Sequence, residues 1–168
     1  MDGVRRDPVV APAPAAREGG HRHQFDHVDA EVDQVVEPRR RRGEGALRGV
    51  ADVILAGAGT ARAEGYRRPV AKPEFAERRA RLGQLVAPPL ALITRSGRLP
   101  DGAVGPGSGF AIAPAAADLD ALTAQVGADR VIVAGQEEVD LSVAVAELAR
   151  RGLRRVLLEG GPQVLGQG

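Results

Sequence analysis

A chain of 168 residues with a formal charge of +1 is long enough for one domain with a proper core and too short for two comfortable ones. That charge argues against a protein built for nonspecific nucleic-acid binding, and the lack of cysteine excludes disulfides and thiolate metal sites. No stretch has the apolar length of a membrane span or of a signal-peptide core, so a reducing cytoplasm is the expected setting.

Residues 1–45 do not read as folded protein. Pro8, Pro12 and Pro14 sit among alanines with neither a two-residue nor a 3.6-residue period, and the stretch from His21 to Val36 offers little beyond Phe25 and a few valines to bury. Such a composition does not offset its own ordering entropy, and a disordered or non-native segment is expected. His21, His23 and His27 near Asp26 and Asp29 have metal-ligand chemistry but no second shell, so no metal is assigned to them. The run Arg39–Arg42 is flanked by acids that neutralise it, and no nucleic-acid partner is assigned.

From Ala46 the character changes. Ala46–Val50 suits the end of a helix, and the apolar run Ala51–Ala56 reads as a strand buried on both faces. It empties through Gly57-Ala58-Gly59-Thr60 into a short helix over Ala61–Glu64. A helix is expected over Pro73–Leu85, with Phe75, Arg79 and Leu82 on one face and Pro88-Pro89 as its stop. Strands follow at Leu90–Thr94 and Phe110–Ala113. Asp118 and Asp140 are placed to N-cap helices that end at Gly127 and Gly152, with a strand at Val131–Ala134 between them. Arg155–Leu158 is a further strand, running into Glu159-Gly160-Gly161-Pro162. Strands alternating with helices predict an α/β domain with a largely parallel sheet.

The chain thus carries two strand–glycine–helix junctions. Ligands of open α/β sheets lie beyond the carboxyl ends of the strands, where free N–H groups and the helix dipole favour anions. The diphosphate of a dinucleotide is the expected occupant, with the Thr60 hydroxyl as an extra donor. Arg95 and Arg98, beyond another strand, supply charge suited to the additional phosphate that separates NADPH from NADH. Glu159, read as facing outward, offers an acceptor to a substrate. A Rossmann fingerprint fits poorly, because its third glycine would fall on Arg62 and the acid-bearing second strand is replaced by a helical region.

The runs DVILAGAGTARAEGY, PPLALITRSGRLP, RVIVAGQEEVDL and RGLRRVLLEGGPQVLGQ, in that order, resemble the reductase domain of riboflavin biosynthesis. That domain belongs to the dihydrofolate reductase-like superfamily, and the resemblance covers about residues 46–167. It implies a three-layer α/β fold with a mostly parallel mixed sheet. It also implies NADPH-dependent reduction of the ribose of 5-amino-6-(5-phosphoribosylamino)uracil to ribityl, and a possible homodimer. By position, Gly57, Gly59, Thr60, Glu64, Arg95 and Ser96 correspond to cofactor contacts. Gly160, Gly161, Pro162, Gln163, Val164 and Leu165 correspond to the second cofactor loop. Glu159 matches the substrate-contacting glutamate, and Arg67 or Arg68 stands in for the substrate phosphate contact. No residue is assigned as a catalytic acid or base, since hydride transfer depends mainly on alignment. Other readings are a reductase acting on a pteridine or another carbonyl compound, or a non-catalytic nucleotide-binding remnant.

The sequence also departs from the family. No Ser-x-Asp-Gly-type strand is present in residues 1–45, and the further strands expected after Gly168 are missing. We therefore expect residues 1–45 to be an out-of-frame or wrongly started translation, the C-terminal end to be cut, and residues 46–168 to form a partial domain with exposed sheet edges and weak activity.

Overall fold

The computed structural model describes residues 34–36 and 44–160. In order, these form β1 (Gln34–Val36), α1 (Glu44–Val50), β2 (Val53–Gly57), α2 (Ala58–Ala63), α3 (Pro73–Arg81), β3 (Leu90–Ile93) and β4 (Phe110–Ala113). Then come α4 (Leu119–Val126), a 3₁₀ turn (Ala128–Arg130), β5 (Val131–Val133), α5 (Leu141–Arg150) and β6 (Arg155–Glu159).

The strands lie in the order β1-β6-β2-β3-β4-β5, and every pair is parallel. Parallel neighbours need crossovers, and crossovers are right-handed. From β1 to β5 the chain steps across the sheet in one direction, so α1, α2 and α4 pack on one face. The return from β5 to β6 reverses the step and places α5 on the other face. The result is the three-layer α/β architecture of the dihydrofolate reductase-like class. The mixed character expected of the sheet is not seen: among the described residues no antiparallel ladder joins it.

Side chains alternate as pleating requires. Ile54, Ala56 and Leu157 face α1 and α2, while Val53, Leu55, Val156 and Leu158 face α5. Because both faces are covered, β2 reads as an unbroken apolar run. The caps also follow the sequence: Asp118 Oδ1 accepts from the Ala121 N–H at 3.0 Å, and Asp140 Oδ1 accepts from Ser142 and Val143.

Two expectations need correction. Residues 1–45 do not all lie outside the fold: Gln34–Val36 pairs with the outer edge of β6, and α1 begins at Glu44. A three-residue strand is too short to display a period, and it is held by the backbone groups of β6 rather than by a sequence pattern of its own. Second, α3 ends at Arg81 rather than Leu85; Gly83 takes φ +66 there, and Leu82 and Leu85 are exposed. The buried residue of α3 is Arg79, whose guanidinium donates to the carbonyls of Gly49 (3.0 Å), Ala51 (2.8 Å) and Leu85 (2.6 Å). α1 approaches α3 so closely at Gly49 that a Cβ there would lie 2.4 Å from the Phe75 ring.

The register of the central pair is fixed at its amino end by Asp52. Its Oδ2 accepts from the N–H groups of Arg154 (2.9 Å) and Arg155 (2.7 Å), and its Oδ1 accepts from Gln84 Nε2 at 2.5 Å. Asp52→Ala orphans these donors and is expected to lower stability by about 2–4 kcal/mol in urea unfolding, with Asp52→Asn losing less because it keeps an acceptor.

Candidate active site

The tips of β6, β2 and β3 stand side by side. Ala56 is opposite Glu159 across one pairing, and Gly57 is opposite Ile93 across the other. Gly57 and Gly160 therefore leave the sheet as neighbours, with the Arg95–Ser96 turn next along. The chain beyond Gly57 touches Gly160 directly. Gly160 has φ +93, and a Cβ on it would lie 3.1 Å from both Oγ1 and Cγ2 of Thr60. Gly59 has open space where a Cβ would stand, and no side chain caps α2 at Gly57. The open side of Gly59 leaves backbone at the start of α2 accessible to an anion.

Glu159 does not face outward. It shares the strand face of Leu157, and pleating turns it inward beneath α1, where it is 3% exposed. Arg48 on α1 grips it as a fork, with Nε donating to Oε1 at 2.6 Å and Nη2 donating to Oε2. The Tyr66 hydroxyl donates to Oε2 at 2.8 Å, and the Arg48 guanidinium lies 5.4 Å from the centre of the Tyr66 ring. Such charge-assisted bonds are what make burial of a carboxylate tolerable. Burial, reinforced by the neighbouring Glu159 carboxylate, pushes the Tyr66 hydroxyl well above its ordinary 10.0, so it remains a proton donor.

In front of this cluster lies a cavity of about 400 Å³ between α1, α3 and the loop after α2. Arg48, Tyr66, Arg67, Arg68 and Lys72 line it, with Phe75 as an apolar wall. Arg68 is thus placed on a cationic pocket that also takes in Glu64 and Gly65, just past the end of α2. Glu64, expected beside the first turn, is exposed at the end of α2 and lines the same cavity. Arg95 and Ser96 are exposed at the β3 tip, just beyond Thr94, whose hydroxyl donates to the Arg98 carbonyl at 3.1 Å. Gly161, Pro162, Gln163, Val164 and Leu165 lie outside the described residues, as do the three histidines and the Arg39–Arg42 run.

Residues 16–167 match the family model of the RibD C-terminal domain. The chain belongs to that family. RibD C-terminal domains are riboflavin-pathway reductases, and the match begins well before Ala46, where the sequence alone put the boundary. Among solved structures, the domain is similar to a pyrimidine reductase-like protein from Corynebacterium diphtheriae, at 31% identity and a TM-score of 0.59. The likeness covers 70% of this chain and 53% of the other, so the chain spans about half the length of that protein. No curated protein matches the sequence.

Two site residues went unassigned in the sequence, Arg48 and Tyr66. Tyr66 is the single tyrosine of the chain. A signal for the inward turn of Glu159 was present in its two-residue spacing from Leu157.

Gly160→Ala is expected to cost about 1–2 kcal/mol from the left-handed backbone alone, before the crowding of Thr60 is added. Chemical unfolding measures it. Tyr66 gives a signed pH dependence. The unfolded hydroxyl ionises near 10.0 while the folded one stays protonated, so the unfolded state binds fewer protons as pH rises beyond that value. Stability should therefore fall above that pH, and fall less steeply in Tyr66→Phe, so that the two unfolding free energies converge in alkaline buffer.

Proposed function

We propose that the protein is an NADPH-dependent reductase acting on a phosphoribosyl-pyrimidine, the 5-amino-6-(5-phosphoribosylamino)uracil of the riboflavin pathway. The observation that carries this reading is the contact of Thr60 with Gly160, which joins the first glycine turn to the tip of β6, together with the cationic cavity between α1, α3 and the loop after α2. The residues present fit the cofactor. Gly59 leaves open space for phosphate oxygens, Thr60 offers a hydroxyl beside Gly160, and Arg95 stands at the next strand tip for the 2′-phosphate.

The cofactor, when bound, supplies the hydride, and the chain's own part is alignment and charge. Arg68, with Lys72 on the same wall, attracts the substrate phosphate into the cavity. Arg48 and Tyr66 present the inner wall, and Glu159 stands behind them rather than in the path of a ligand. The apolar side of Phe75 excludes water from that wall.

The test is a titration of the 168-residue protein with NADPH and NADH, followed by nicotinamide fluorescence. Saturable binding is expected, tighter for NADPH by about tenfold, with Arg95→Ala abolishing the preference. Absence of saturable binding by either nucleotide would rule the reading out. With the phosphoribosyl-pyrimidine supplied, Arg68→Ala is expected to raise KM about tenfold and leave kcat little changed, the signature of lost phosphate binding.

A further inference from the structure

We propose that Arg48 and Tyr66 are positioning residues that act through Glu159 to set the tip of β6, coupling the cavity wall to the pair of glycine turns. The inference rests on reading those turns as the nucleotide site.

Glu159 is the last residue of β6 and is bonded directly to Gly160. A displacement of its carboxylate is therefore passed to Gly160, which sits so close to Thr60 that an added Cβ would lie 3.1 Å from its side chain. The carboxylate is held by groups outside the sheet: Arg48 from α1 through two donors, and Tyr66 from the loop after α2 through one. Both holders line the cavity. A charge buried to 3% exposure that loses a donor must regain a partner or reach water, and Glu159 can do either only by shifting at the strand end. A group bound against Arg48 or Tyr66 is thus felt at the glycine turns through one rigid carboxylate. The linkage is local and mechanical: three hydrogen bonds converge on a side chain that is covalently next to the turn.

Hydrogen exchange on the full, ligand-free chain reads this coupling without any nucleotide. Tyr66→Phe removes one hydroxyl and keeps the ring beside Arg48. It is expected to speed amide exchange across 57–61 and 156–160 by about fivefold, the equivalent of one lost hydrogen bond, while β4 and α4 exchange as in the parent. Unchanged exchange at both turns overturns the coupling. NADPH titration of the same proteins adds a functional reading. Tyr66→Phe and Arg48→Ala should each weaken binding by about fivefold or more, and Arg48→Lys should recover part of the loss by restoring charge without the fork. A parent that binds NADPH while both variants bind it equally well overturns the positioning role and leaves the reductase reading standing. A parent that binds neither nucleotide overturns the reductase reading, and the exchange result then decides the coupling by itself.

Discussion

A carboxylate at the end of a central parallel strand is surrounded by sheet on both sides and helices above, and its charge survives there only if donors replace its water. Arg48 and Tyr66 are those donors for Glu159. Their placement dictates the carboxyl end of the sheet. α1 must lie close enough to β6 for a guanidinium to reach it, and the chain leaving α2 must double back to bring Tyr66 alongside. The cavity is the space those two demands leave between α1, α3 and the returning loop.

Handedness explains why all of this collects on one side. Successive steps from β1 to β5 run the same way, so their connecting segments stack over one face, and the groups that line the cavity come from that layer. Among the described residues the opposite face has α5 alone, covering Val53, Leu55, Val156 and Leu158 with Leu141, Val145 and Leu148. At the far end of the sheet Asp52 performs the complementary task, fixing the start of β6 against β2 so that the tips come out level.

Much of this was legible in the residues because the physics is local. Runs such as Val53–Ala56 and Phe110–Ala113 can hardly be anything but buried strands, Asp118 and Asp140 cap where a short acceptor is needed, and glycines end helices where the backbone turns left-handed. The Glu159–Gly160 end of β6 lies beside Ala56 because β6 pairs with β2. What escaped was non-local. Gln34–Val36 becomes a strand because β6 offers it an edge, which no composition argument over residues 1–45 can reveal. Arg79 is placed by periodicity on one face with Phe75 and Leu82, but the sequence does not tell that three carbonyls between α1 and the loop after α3 need its donors. Glu159 looks like a loop acid until its distant partners are known, and those partners lie 111 and 93 residues away.

The insertion of β6 between β1 and β2 also has a consequence for assembly. β6 is the last of the described strands to leave the ribosome, yet it occupies an interior place, and among the described residues the pairing of β1 is with β6 alone. The sheet cannot grow outward from one edge; it must keep a slot open until its final segment arrives, which is a high-contact-order and intrinsically slow route. Glu159 and Gly160 travel with that segment. The contact of Gly160 with Thr60 and the closing of the sheet between β1 and β2 consequently come into being in a single event.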